Sequence, residues 1–206
     1  MESLHLRRGV TLIELLIVAA IIGIMMVVVF TSQTTFNKTL ILANTAYDVA
    51  LTIRSAETYG LGSRAHGTVA NASYGIHFSN GSSNSFVLFA DISPSAAFSF
   101  RCPNADPGAP DCRPGDNIYT SGSDALVQTY ALGNNITVSD FCTYRTDLSS
   151  GLDSWRCTYA HDGASAGLTS LDFVFSRPNP DSTMTGFGGS GSWSNAKKSC
   201  LVISSP

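Results

Sequence analysis

One carboxylate in this 206-residue chain stands where it costs free energy. Glu14 is the only charged residue between Val10 and Phe30, a run of otherwise apolar side chains and small residues. A carboxylate inside such a run is expensive in an apolar medium and marks function, since it can stay only beside a cationic or hydrogen-bonding partner. The second reactive set is five cysteines, Cys102, Cys112, Cys142, Cys157 and Cys200, all far downstream of Glu14. No C-x-x-C occurs and the intervals lack zinc-finger spacing, so metal ligation is not expected. Loop length favours Cys102–Cys112 and Cys142–Cys157, leaving Cys200 over, among several connectivities. Asp106, Asp111 and Asp116 sit in a Pro/Gly-rich loop and could offer oxygen ligands to calcium. They lack a D-x-D-x-D-G pattern, and a solvated loop stiffened by proline is the favoured explanation. His161-Asp162 lies in a Gly-rich turn among serines, but no G-x-S-x-G elbow accompanies it, so no catalytic site and no cofactor are expected. His66 and His77 read as surface or strand-face residues. Lys197, Lys198 and Arg177 make a small basic spot, and two lysines release few counterions compared with the contacts of a nucleic-acid binder.

The element that positions Glu14 is the run itself. At about 1.5 Å per residue, Val10–Phe30 forms a helix of roughly 31 Å, about the thickness of a bilayer's hydrocarbon core. Arg7 and Arg8 precede it directly. Basic flanks stay cytoplasmic, so residues after the run belong outside the inner membrane, in a single pass with a cytoplasmic N-terminus. A secretory signal would carry a shorter apolar region of about 7–15 residues and a small-x-small cleavage site, and Phe30-Thr31-Ser32-Gln33 supplies none.

Arg7 to Leu16, with Gly9 followed by V-T-L-I-E, resembles the N-terminal signal of type IV pilins and type II secretion pseudopilins. The usual form reads G-F-T-L-I-E-L-L; Val10 replaces the commonest Phe. The resemblance implies that a prepilin peptidase cuts between Gly9 and Val10 and that the new Val10 amine is N-methylated. It implies that Glu14 pairs with the N-terminal amine of a neighbouring subunit during assembly. The partners implied are other pilin or pseudopilin subunits, prepilin peptidase and inner-membrane lipid.

The composition is consistent with this. Charged residues make up 13% and net charge is −3, which gives no global case for nucleic acid. Cysteines confined to the downstream region agree with an oxidising exterior. No proline occurs before Pro94, so the helix can run on past the apolar stretch. Leu42, Ala46, Val49, Ala50, Ile53 and Ala56 form an apolar stripe at helical period, while Asn44, Asp48, Thr52 and Ser55 are expected elsewhere. The helix is expected over Val10–Tyr59, stopped by Gly60 and Gly62. Strands are expected at 66–70, Tyr74–Phe78, Ser85–Ala90, Asp116–Tyr119, Leu126–Leu132, Ile136–Tyr144, Ser154–Tyr159, Ser170–Ser176 and Ser199–Ile203, with Gly186–Gly191 a loop. The fold class is α+β: a long N-terminal helix packed on an antiparallel sheet, as in pilin-like proteins. The expected organisation is a leader at 1–9, a membrane helix at 10–30, its amphipathic continuation at 31–62 and a β-rich globular domain at 63–206.

Three softer segments, AYDVALTIRSAETYGLGSR, YGIHF followed by SFVLFAD, and LDFVFSRPNPD, resemble the GspH/FimT group of minor pseudopilins and pilins. The resemblance implies a structural, non-enzymatic subunit of a type II secretion pseudopilus or a type IV pilus. The alternative is a filament-tip binding module on the same scaffold, a DNA-uptake receptor or an adhesin, using the loops at 93–116 and 181–198.

Overall fold

The computed structural model describes residues 10–62, 64–67, 69, 71–92, 115–146, 153–160, 164–189, 191–194 and 196–205. The architecture is α+β and pilin-like: a long N-terminal helix followed by antiparallel sheets. Helix α1 spans Leu12–Leu61, 50 residues. Ten strands follow: β1 (Ser73–Ser79), β2 (Ser85–Asp91), β3 (Ala125–Ala131), β4 (Thr137–Thr146), β5 (Asp153–Cys157), β6 (Ala164–Ala166), β7 (Leu168–Ser176), β8 (Asn179–Gly188), β9 (Gly191–Trp193) and β10 (Lys198–Ser204). The chain divides into two units, Met1–Ile41 and Leu42–Pro206.

In the first unit, from Leu12 to Phe30, the helix is apolar on every side apart from Glu14. Leu12 is 85% exposed, and residues such as Ile17, Ile22, Met25, Val28 and Phe30 are all open on the isolated chain. A helix of this kind has no soluble resting place, because each buried methylene elsewhere would recover about 0.8 kcal/mol. Among the described residues α1 is the helix long and apolar enough to cross a membrane.

The second unit begins with about the last five turns of α1. Its core joins Val49 and Ala56 of the helix to Ile76 and Phe78 of β1, Phe86 and Leu88 of β2, Leu171 and Phe175 of β7, and Val138 and Phe141 of β4. Leu42, Ile53 and Tyr59 pack against this cluster. The expected stripe is corrected in part: Ala46 and Ala50 are exposed, whereas Thr45 and Thr52 are buried. The buried line is Thr45, Val49, Thr52, Ala56 and Gly60, a helical spacing that a polarity-based reading misses. Thr52 is tolerated there because its Oγ1 donates to the Asp48 carbonyl at 2.8 Å, so no hydroxyl is left unpaired.

Gly60 is not a stop. The helix continues to Leu61, and Gly60 lies against β7, where an added Cβ would stand 2.3 Å from the Phe175 carbonyl oxygen. The missing side chain is what lets the helix end touch the strand backbone. The helix closes at Gly62, whose N–H donates to Thr58 O at 2.9 Å. Arg177 supports the same end by donating from Nε to the Leu61 carbonyl.

Two sheets replace the single one expected. The first is six-stranded, in the order β3-β2-β1-β7-β8-β9; the second is four-stranded, in the order β10-β4-β5-β6. Among the described strands all pairs are antiparallel except β5 with β6. Alternation placed β1 correctly, because Ile76 and Phe78 face the core while His77 faces away, and the expected runs Ser85–Ala90 and Ser170–Ser176 coincide with β2 and β7. Of the strand expected at 66–70, residues 68 and 70 lie outside the described residues, and His66 and Val69 form an isolated bridge. Residues 116–119 are not a strand; their backbone N–H groups go to carboxylates instead of a ladder. Gly186 belongs to β8 rather than to a loop, with Leu168 and Thr143 within 3.0–3.4 Å of where a Cβ would stand. Much of the 181–198 segment assigned to binding loops is therefore strand.

Candidate functional site

The N-terminus of α1 is built by Thr11 and Glu14. Glu14 N–H donates to Thr11 Oγ1 at 3.3 Å, and Thr11 N–H donates to Glu14 Oε2 at 3.5 Å. This reciprocal pair is a capping box, T-x-x-E, which satisfies two of the backbone donors that a helix start leaves orphaned. The carboxylate also lies at the positive end of the helix dipole. Glu14 therefore has a local partner that its apolar surroundings obscure, although the T-x-x-E spacing is visible in the sequence. Val10 precedes the cap and is 72% exposed, so its backbone nitrogen lies one residue from the nitrogen that Glu14 already holds. The arrangement keeps an anion beside the position where cleavage after Gly9 would create a cation. Gly9 itself lies outside the described residues.

Of the cysteines, Cys142 and Cys157 form a disulfide, as loop length favoured. They stand directly opposite each other in the β4–β5 register. Cys200 is a free, exposed thiol. Cys102 and Cys112 lie outside the described residues.

Of the three weak calcium candidates, Asp116 lies among the described residues. Asp106 and Asp111 lie outside the described residues. Asp116 is brought together with Asp91 at the end of β2 and with Asp124, and one carboxylate oxygen from each lies within 4.8 Å of the others. These carboxylates hold backbone. Asp91 accepts from Asp116 N at 3.1 Å and Asn117 N at 2.8 Å. Asp124 accepts from Thr120 N at 2.7 Å and Ile92 N at 3.1 Å. Asp172 on β7 accepts from Tyr119 N at 3.3 Å. Three acids thus fasten the strap 116–120 over the six-stranded sheet. Burial, opposed by the Asn117 N–H and reinforced by Asp124 and Asp116, pushes the Asp91 carboxyl up to about 8. Burial likewise raises Asp116, with Asp124 adding to it.

His77 meets Asp172 at 2.6 Å through Nδ1, beneath the Tyr119 ring at 4.7 Å. The pair is set by register, since His77 faces Asp172 directly across β1–β7. Burial raises the Asp172 carboxyl, and the His77 hydrogen bond opposes it. Sequence spacing does not announce this His–Asp pair, because its members are far apart in the chain. It orients an imidazole and anchors the strap. His161 lies outside the described residues. Of the basic spot, Arg177 is committed to the helix end, while Lys198 opens β10 opposite Tyr144.

Residues 4–30 match the family described as the prokaryotic N-terminal methylation motif. No curated protein and no solved structure matches the chain. The matched segment runs from before Gly9–Val10, through the capped Glu14, to the end of the exposed apolar stretch. The motif and the helix that carries it support a type IV pilin-like protein, processed by prepilin peptidase and anchored in a membrane through its apolar N-terminal helix.

Proposed function

We propose that the chain is a structural, non-enzymatic minor pilin or pseudopilin of the GspH/FimT kind. Prepilin peptidase removes Met1–Gly9 and Val10 is N-methylated. Residues 10–30 hold the subunit in the inner membrane with the N-terminus cytoplasmic, residues 31–62 continue the helix, and 63–206 form the domain outside. Assembly moves the apolar helix from lipid into a bundle of like helices, where Glu14 pairs with a neighbour's Val10 amine. The observation that carries this reading is the methylation motif falling on a helix whose apolar surface is open all round and whose single carboxylate sits one turn from the cleavage position. In that setting an unpaired amine and an unpaired carboxylate each favour assembly.

The test is the intact mass of the chain extracted from membranes of cells with and without prepilin peptidase. The expected product begins at methylated Val10 and depends on the peptidase. A chain that keeps Met1 in both strains would sink the proposal.

The binding-module alternative has one feature in its favour. Tyr144 and Trp155 form a half-exposed ring pair, 5.0 Å between centroids, with Lys198 in register beside Tyr144. Rings next to a cation suit stacking on a sugar or base. Retention of the full chain on glycan or DNA at physiological salt, lost in Trp155→Ala, distinguishes it from a purely structural subunit.

A further inference from the structure

The four-stranded sheet places three cysteines in one row. Cys200 on β10 stands opposite Cys142 on β4, and Cys142 stands opposite Cys157 on β5. Directly opposed residues of antiparallel strands project to the same face, so all three sulfurs belong to one side of the sheet. The middle cysteine is the shared one. Thr158 N–H donates to Phe141 O at 3.0 Å, which points the polar groups of Phe141 toward β5 and those of Cys142 toward β10. Cys142 and Cys200 are thus a hydrogen-bonded pair, for which the Cα separation is about 5.5 Å. That lies within the usual bridging range of about 4.4–6.8 Å for Cα atoms, while the Cβ atoms of such a pair, about 5.5 Å apart, must close by about 1 Å, which a shift of the edge strand β10 supplies. The order of the row also matters. Cys200 approaches Cys142 from the side opposite Cys157, the direction from which a thiolate displaces the far sulfur of a disulfide.

We propose that Cys200, Cys142 and Cys157 form an intramolecular thiol–disulfide exchange site. The Cys200 thiolate attacks Cys142 Sγ, the Cys142–Cys157 bond breaks, and Cys157 leaves with the electron pair and takes a proton. One disulfide and one thiol are present before and after, so no oxidant or reductant is consumed. The two states differ in which thiol is displayed. With Cys142–Cys157 closed, the free thiol is Cys200, exposed on the edge strand. With Cys142–Cys200 closed, the free thiol is Cys157, which is 2% exposed. Asp140 stands beside the bond being broken, with Oδ2 3.9 Å from Cys142 Sγ. Burial keeps the released thiol away from reagents at the surface. Exchange therefore withdraws a nucleophile from the surface without unfolding the sheet.

The experiment uses the full chain in detergent, incubated folded at pH 8, acid-quenched, alkylated and mapped by non-reducing peptic mass spectrometry. Two linkages are expected, Cys142–Cys157 with label on Cys200 and Cys142–Cys200 with label on Cys157. Native alkylation of Cys200 before incubation, or Cys200→Ser, is expected to leave only the first. A map in which Cys142 is linked only to Cys157 and Cys200 is always labelled overturns the proposal, and so does Cys200 bridged to Cys102 or Cys112. Cys157→Ser, where its near-ultraviolet spectrum matches the parent, is expected to close Cys142–Cys200. Label on both Cys142 and Cys200 in that variant would likewise overturn it.

Discussion

Glu14→Gln separates the two roles assigned to the carboxylate. The capping box accepts either Glu or Gln at its third helical position, so the substitution keeps the bond from Thr11 N–H and removes only the charge. The cap is a small term. Losing an N-terminal cap costs about 0.5–2 kcal/mol, and contacts of 3.3–3.5 Å put this one at the low end. The proposed pair with a neighbour's amine would be larger: a charge-assisted bond contributes about 1.5–3 kcal/mol, and leaving one partner of a desolvated pair alone costs about 3–5 kcal/mol. About 3 kcal/mol corresponds to roughly 100-fold in an equilibrium, against about 5-fold for about 1 kcal/mol of capping. The expected outcome for Glu14→Gln is unchanged helicity and membrane insertion with filament incorporation reduced on the order of 100-fold. Glu14→Ala should lose slightly more, and Glu14→Asp, which keeps the charge, should lose less than Gln. The assay is the ratio of subunit in the sheared filament fraction to subunit in the membrane fraction, with circular dichroism as the control. Gln variants that enter filaments like the parent while Ala variants do not would refute charge pairing and leave capping as the whole role.

Two further outcomes follow from the second unit. Gly60→Ala should lower the melting temperature, because a Cβ 2.3 Å from Phe175 O costs about 1–3 kcal/mol of overpacking and outweighs the gain of about 1 kcal/mol in helix propensity; a raised melting temperature would show that the helix end does not rest on β7. The Asp91 carboxyl titrates at about 8 in the folded chain against an ordinary value of 3.8, so its contribution to stability is full below pH 3.8 and is lost as pH rises through about 8. In chelator-treated buffer the denaturation midpoint should therefore rise on acidification through that window, and Asp91→Asn should flatten the trend; a parent midpoint that falls instead, or a variant with the parent's slope, would remove Asp91 from the account.

The N-terminal half was legible because composition decides it. A run apolar on all faces needs no register, partner or turn to be recognised, and Glu14 stands out against it. Strand β1 was legible from alternation, β2 from a β-rich run after the Asn80-Gly81 turn, and Cys142–Cys157 from loop length. What escaped were features fixed by which strand lies next to which. His77 reaches Asp172, and Cys200 reaches Cys142, only through the β1–β7 and β10–β4 registers. Asp91, Asp124 and Asp172 fasten the strap through backbone N–H groups, a pattern that leaves no spacing in the sequence. The burial of Thr52 escaped for a different reason. Its hydroxyl is satisfied within its own helix, so a polar residue behaves as an apolar one, and hydropathy alone places it on the wrong face.

The capping box changes how Glu14 is to be understood. A carboxylate at the centre of a membrane helix costs about 2.5–3.5 kcal/mol by insertion scales, and a position one turn from the start lowers that cost without removing it. A long, neutral contact to Thr11 N–H returns only a fraction of it, so the monomer in lipid keeps an unsatisfied demand for positive charge. Yet the cap keeps the carboxylate at the helix N-terminus and limits its freedom, which lowers the entropy lost when a stronger partner arrives. In the assembly proposed above, the weak internal bond and a stronger intersubunit one are successive states of a single side chain. The first would hold the anion near the proposed cleavage site, and the second, available only once Val10 carries a free amine, would tie assembly to processing.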